Sequence, residues 1–323
     1  MVAMRLVFRA DASREMGTGH VMRSSALAEE AISRGIECFF VGQLGGISWL
    51  EARIQGLGFS GILRSEGEFL SLPTDDVLVL DSYVIDPGNP FVQNNNWLAV
   101  VNVADNLTPA YDCDLLVHPG LNVDWLLNST MPILAGAEYI LTRKSIKKVL
   151  PGIVDVRKGP KVLVVGGGSD PYGFCEAVST VLDSVHAPFE VEFFSNFQIA
   201  SKANKVFKTH PIGSILDQRV NTADLVLTTA STTSLEFIGR EIPTGIACVV
   251  DNQENYYREI GKLGIAKQIG TRNADGTWRF DLNVIEELIT SEILRNSLRT
   301  SAANQIDLRG TERVVDYILK NFS

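Results

Sequence analysis

Histidine is scarce in this sequence: four occur in 323 residues, and none sits in an HxH or HExxH spacing, which argues against a metal-centred catalyst. The four cysteines, Cys38, Cys113, Cys175 and Cys248, form no CxxC pair, and three of them lie in or beside apolar runs, as reduced, mostly buried thiols of a cytoplasmic protein would. There is no GxSxG, so a serine-hydrolase elbow is not supported, and no cysteine lies in a glycine loop to suggest a Cys–His pair. The dinucleotide fingerprint GxGxxG, with its acidic residue after a second strand, is missing, and so is the P-loop pattern. No apolar run approaches the ~18 residues of a membrane span, and no apolar h-region opens the chain, so neither membrane insertion nor a signal peptide is expected. The net charge of −9 argues against a general nucleic-acid binder, while leaving room for an anion in a local pocket.

What is present describes a soluble, cytoplasmic globular protein long enough for two domains, with 45% hydrophobic and 21% charged residues. Short apolar runs alternate with amphipathic stretches, which predicts doubly wound α/β architecture. In the first half the strands read as 5–9, 38–41, 77–81, 98–103 and 115–117, with continuous runs such as Val77-Leu78-Val79-Leu80 suited to a parallel sheet covered on both faces. Residues 144–161 are rich in lysine and arginine and carry Pro151 and Pro160, so 147–160 reads as a linker between a domain at 1–146 and a second at 161–323. The second half repeats the plan, with strands at 162–165, 190–194, 224–227 and 244–250 and helices at 174–184 and 255–263. Its tail, 282–319, reads as helical with a break at Asp307-Leu308-Arg309-Gly310, and the last helix could pack back on the first domain.

The chain is organised around the stretch Arg9 to Arg23. It joins the first strand to a helix at 21–34, the place where ligands sit in an open α/β sheet. Gly17 and Gly19 permit close backbone approach, the helix start favours an anion, and His20 can take or give a proton near neutral pH. A plain turn with His20 as a cap is the simpler reading of the same residues. Asp11 could orient His20, contact a substrate, or pair with Arg9 or Arg14. Asp81-Ser82-Tyr83 and Asp105-Asn106 end two further strands, and their carboxylates would point into the same crevice as His20.

In the second half, Gly166-Gly167-Gly168-Ser169 between a strand and a helix is a candidate phosphate cradle or a tight structural turn. The hydroxyl cluster of Ser231, Thr232, Thr233 and Ser234 can cap a helix and donate to phosphate oxygens, with Glu236 one turn further on, where a carboxylate could accept from a ribose diol. Asn252 and Gln253 follow another strand and suit sugar hydroxyls or amides, if they are more than a polar connection.

Together these residues resemble a family. Arg9-Ala10-Asp11-Ala12 followed by Gly17-Thr18-Gly19-His20-Val21-Met22-Arg23 looks like the opening of the UDP-sugar hydrolases of the pseudaminic-acid pathway, which act on a UDP-diacetamido-trideoxyhexose and are related to spore-coat polysaccharide proteins and MurG-type glycosyltransferases. Asp105, the run Gly136 to Arg143, Val165 to Asp170, Ala230 to Glu236, Asn252-Gln253-Glu254 and Asp307 to Gly310 are similar too. The resemblance implies two Rossmann-like domains of the glycosyltransferase B type with the active site in the interdomain cleft, and no metal or other cofactor. It implies His20 as general base and a first half that holds the sugar, with Gly17, Gly19, Arg23 and Asp105 in the matching segments; Asp81 is added to that side by its place at a strand end. Gly167, Gly168, Ser169 and Ser231 to Thr233 would hold UDP phosphates, Glu236 the ribose, and Asn252 and Gln253 would face the sugar. The triple glycine departs from the family's usual two.

Overall fold

The computed structural model describes the chain except residues 1–3, 14–15, 69–75, 83–84, 87, 94–95, 105–111, 122–130, 153, 156, 169, 204 and 214 and the side chains of Glu68 and Asn252. In chain order its elements are β1 (Arg5–Ala10), α1 (Gly19–Ser33), β2 (Cys38–Val41), α2 (Ser48–Gly56), β3 (Gly61–Leu63), β4 (Asp76–Asp81), α3 (Pro90–Gln93), β5 (Ala99–Val103), β6 (Leu115–His118) and β7 (Ile133–Ala135). Then follow β8 (Lys161–Val165), α4 (Phe174–Ser184), β9 (Glu190–Phe194), β10 (Phe207–His210), α5 (Leu216–Val220), β11 (Leu225–Thr229), α6 (Thr232–Gly239), β12 (Thr244–Cys248), α7 (Glu254–Leu263), β13 (Lys267–Arg272), β14 (Trp278–Phe280), α8 (Leu282–Thr290), α9 (Glu292–Gln305) and α10 (Gly310–Phe322).

The chain forms two compact units, one of residues 1–146 with 308–323 and one of residues 147–307. The first unit holds a seven-stranded parallel sheet in the order β3-β2-β1-β4-β5-β6-β7. Alternation along each strand sorts its two faces: Leu6, Phe8, Val77, Val79 and Val101 share a cluster with α1, and Val7, Leu78 and Leu80 share one with Phe91 of α3. Each such side chain contributes roughly 1.5–3 kcal/mol when fully buried. Val314, Val315 and Ile318 give α10 an apolar stripe, and it joins the first cluster beside Leu27, Ala28 and Ala31 of α1. The C-terminal helix is therefore part of the first unit.

The second unit repeats the topology, with the order β10-β9-β8-β11-β12-β13-β14, all parallel except the edge strand β14. Residues 147–160 belong to it: Val149 is buried and its amide donates to the Arg240 carbonyl at 2.8 Å. The basic composition of that stretch reflects its exposed lysines, and the buried valine anchors it.

In both sheets the strand order reverses at one place, between β1 and β4 in the first unit and between β8 and β11 in the second. The connections leaving those strands part to opposite sides and open a crevice at the carboxyl ends. The glycine loops read from the sequence follow β1 and β8.

Candidate functional site

At the reversal in the first unit the register pairs Ala10 of β1 with Asp81 of β4. This brings Asp81, the last residue of its strand, beside the first turn of α1. His20 Nδ1 lies 2.5 Å from Asp81 Oδ1, and Arg23, three residues along the same helix face, donates from Nε to Asp81 Oδ2 at 2.5 Å and from Nη2 to Oδ1 at 2.7 Å. Asp81 is fully buried, Arg23 3% and His20 5% exposed. Arg23 Nη2 also lies 3.3 Å from His20 Nδ1, so the imidazole is fixed in place by both members of the Asp81–Arg23 pair.

Asp11 has other partners. Its Oδ2 is 2.6 Å from Arg9 Nη1, and its Oδ1 accepts the Gln43 amide at 2.8 Å. Of the three options open for Asp11 in the sequence, the structure shows the pairing with Arg9. Arg9 in turn donates from Nε to Glu66 Oε1 at 2.9 Å. The loop is held closely: a Cβ on Gly42 would fall 1.8 Å from the Ala10 carbonyl oxygen, so only glycine fits after β2. Gly17, at φ +85°, closes a tight turn with its amide on the Ser13 carbonyl at 2.9 Å, and Gly19 is the first residue of α1.

In the second unit Gly167 adopts φ +89° after β8, and a Cβ there would sit 3.8 Å from Thr229 Oγ1 at the end of β11, so the glycine loop and the hydroxyl segment adjoin at the reversal. Thr228 ties the two strands by donating to the Val165 carbonyl at 2.6 Å. Asp170 is a residue the sequence reading passed over. Its carboxylate accepts the amides of Phe174 at 2.8 Å and Cys175 at 3.1 Å, so α4 carries its own anion at its N-terminus. An aspartate four residues before a helix was the available signal. The start of α6 differs: Ser231 precedes it with extended backbone, makes no side-chain cap, and its buried Oγ has no hydrogen-bond partner. Gly168, Thr232, Thr233 and Glu236 are half-buried around these two segments. Gln253 uses its Oε1 to accept the Val249 amide at 3.0 Å, which leaves its amide group as the end able to meet a ligand. Asn252 lies in the short turn before α7. Asp105 and Ser169 fall outside the described residues.

Comparison with known proteins follows this geometry in kind. No protein-family model matches the sequence, and no curated protein matches it. Solved structures do. MurG of Acinetobacter baumannii aligns over 98% of this chain and 99% of its own, with TM-score 0.66 and 16% identity. An UDP-N-acetylglucosamine 2-epimerase assigned in Listeria monocytogenes aligns over 99% of this chain and 97% of its own, with TM-score 0.63 and 13% identity. The Streptomyces glycosyltransferase SsfS6, solved with thymidine diphosphate, aligns over 97% of this chain and 99% of its own, with TM-score 0.55 and 12% identity. The fold is of the glycosyltransferase B type.

The thiols offer no nucleophile. Burial pushes Cys38 up to about 12 and Cys113 and Cys248 to about 11, and raises Cys175 with help from Asp170. At pH 8 only about a thousandth of a thiol with pKa near 11 is ionised, against roughly a quarter of a free one. Iodoacetamide is therefore expected to label the native chain far more slowly than the urea-unfolded chain, where all four react. Fast labelling of the native protein contradicts this account of the thiols. Among the described residues, no cluster of three or more His, Cys, Asp or Glu is placed to hold a metal ion, and no helix is long and apolar enough to cross a membrane.

Proposed function

We propose that the protein hydrolyses a UDP-sugar at its anomeric C–O bond, releasing UDP and the free sugar, in the making of a nonulosonic acid or a surface polysaccharide. The observation that carries this reading is His20, held by the Asp81–Arg23 pair at the strand reversal of the first unit. In the proposed step His20 Nε2 takes a proton from water, the water oxygen bonds to C1, and the C1–O bond to the β-phosphate breaks. The electron pair leaves with UDP, and the proton passes from His20 to solvent. General-base assistance of this kind is worth about 10²–10⁴-fold.

UDP would be held by the second unit. Because Asp170 already occupies the first amides of α4, the diphosphate charge is assigned to Gly167, Gly168 and Ser169 and, above all, to Ser231, Thr232 and Thr233 at the start of α6. Glu236 is assigned to the ribose, Gly17, Gly19, Asp105, Asn252 and Gln253 to the sugar side, and the buried Arg23 and Asp81 to holding His20 there. The scheme requires both strand reversals to serve one substrate. The fold likeness to a MurG, to an enzyme named for UDP-N-acetylglucosamine and to one solved with thymidine diphosphate supports a nucleoside-diphosphate sugar. The resemblance of residues 9–23 supports water as the attacking group.

Transfer to an acceptor hydroxyl is the second reading, favoured by the full-length likeness to MurG. Incubation with UDP-, GDP- and CMP-sugars without acceptor separates the two. Hydrolysis predicts free nucleotide from a UDP-sugar alone. Release only after an acceptor is added favours transfer, and binding without release leaves a nucleotide-sugar binding protein.

A further inference from the structure

The start of α6 is braced by a side chain from the next helix. Ser234, in the first turn of α6, is fully buried, and its hydroxyl donates to the Ser231 carbonyl at 2.6 Å. Tyr256, in the first turn of α7, lies with its Oη 2.7 Å from the same Ser234 oxygen. Each hydroxyl carries a single proton, and Ser234 directs its own to Ser231. The chain of bonds therefore runs one way: Tyr256 donates to Ser234, and Ser234 donates to Ser231. Burial pushes the Tyr256 hydroxyl above its ordinary value, so the phenol keeps its proton at neutral pH.

Ser231 is thereby fixed at both ends of its backbone. Its carbonyl also accepts the Ser234 amide at 2.9 Å, and its own amide donates to the Thr229 carbonyl at 2.8 Å. What remains is its Oγ, which is buried and has no hydrogen-bond partner among the described residues. A buried hydroxyl without a partner is uncommon, and here it stands where a helix start favours an anion. Tyr256 reaches this place from another segment. It follows β12, three residues after Gln253, whose Oε1 accepts the Val249 amide at 3.0 Å. The first turn of α7 thus joins the turn assigned to the sugar with the helix start assigned to the phosphates.

We infer that Tyr256 is a positioning residue for the phosphate-holding segment: through Ser234 it fixes the Ser231 peptide, and with it the one hydroxyl left to meet a ligand oxygen. The inference deepens the nucleotide-sugar reading above and rests on it. Tyr256 touches no substrate in this scheme and acts through the two serines. Each donor in such a chain polarises the next, so the bond from the phenol strengthens the one that ends on Ser231. Phenylalanine at 256 keeps the ring and removes only that first donor.

Calorimetric titration of UDP into the full-length protein, with melting midpoints taken on the same preparations, tests this without depending on turnover. Tyr256→Phe is expected to weaken UDP binding by about three- to tenfold, the scale of one neutral hydrogen bond. Ser231→Ala, which removes the hydroxyl itself, should weaken it by about tenfold or more. The double variant should bind UDP within about twofold of Ser231→Ala alone, because Tyr256 then has no hydroxyl left to position. A role in stability alone predicts the same loss from Tyr256→Phe in both backgrounds. Ser234→Ala is the second check. It leaves the Tyr256 hydroxyl unpaired, so adding Tyr256→Phe should raise the melting midpoint again while UDP affinity stays low. Unchanged affinity in Y256F or in S231A, equal losses in the two backgrounds, or affinity that recovers with the midpoint overturns the inference and leaves the nucleotide-sugar reading standing. Absence of UDP binding by the wild type overturns that reading, and the inference falls with it.

Discussion

Replacement of His20 by asparagine is expected to lower UDP release from the UDP-sugar by about 10²–10⁴-fold or more while leaving the affinity for UDP within about twofold. The two readouts separate because the histidine and the proposed nucleotide segments belong to different compact units. Asparagine is the informative choice. Its amide can still donate to Asp81 Oδ1, which His20 Nδ1 approaches at 2.5 Å, so the buried Asp81–Arg23 pair keeps its third partner and the fold is spared. What is lost is the basic nitrogen. Steady-state nucleotide release and calorimetric UDP binding on the same preparation check this. Wild-type turnover in H20N removes the histidine from the chemistry, and loss of UDP affinity along with turnover would place it in nucleotide binding instead.

Asp81→Asn is expected to damage both rate and stability. The Asp81 carboxylate is fully buried and neutralises a guanidinium only 3% exposed. An amide of the same shape would take the carboxylate charge away from the buried Arg23 guanidinium, a change that costs about 3–5 kcal/mol when one partner of a buried pair is removed. For a unit of this size that corresponds to a fall of roughly 10 °C in its melting midpoint. The same change removes the carboxylate that holds His20, and an amide at the equivalent place in a Ser-His-Asp triad costs about 10⁴ in kcat. Asp11→Asn is the matched control. Its carboxylate serves Arg9 and the Gln43 amide, and Arg9 retains Glu66 when it goes, so the rate should fall by less than about tenfold. Melting curves and kcat for the two variants check the ordering, and a larger rate loss in D11N than in D81N would show that the orienting carboxylate has been misassigned.

The parts of this arrangement legible in the sequence are those set by local pattern. The strands expected at 38–41 and 190–194 and the helix expected at 174–184 have those bounds in the structure, the first marked by the continuous apolar run Cys38-Phe39-Phe40-Val41. Strands β3, β7, β10, β13 and β14 escaped because they lie toward sheet edges: Phe207-Lys208-Thr209-His210, for example, is half exposed and lacks the uninterrupted apolar stretch that marks a doubly covered strand. The first helix starts at Gly19, two residues earlier than its apolar periodicity suggests, because a glycine adds nothing to that signal. At the site, Asp81 is visible as a polar residue at a strand end and His20 as one at a helix start. Their contact is not, since it joins positions 61 apart through the β1–β4 register. For Asp11 the sequence left open an orienting role on His20, a substrate contact or a pairing with Arg9 or Arg14, and the tertiary structure pairs it with Arg9. Asp170 was overlooked for the opposite reason: the adjacent glycines drew attention to phosphate, while the aspartate supplies an internal anion to the same helix.

The central claim is that water, activated by His20, attacks the anomeric carbon of a UDP-sugar. Turnover in water enriched in the heavy oxygen isotope, with both products analysed by mass spectrometry, tests it most directly. The account predicts the label on C1 of the free sugar and none in UDP, with no acceptor needed. Label in the β-phosphate of UDP would mean that the P–O bond breaks, and no sugar release without an acceptor would mean that water is not the nucleophile; either result contradicts it.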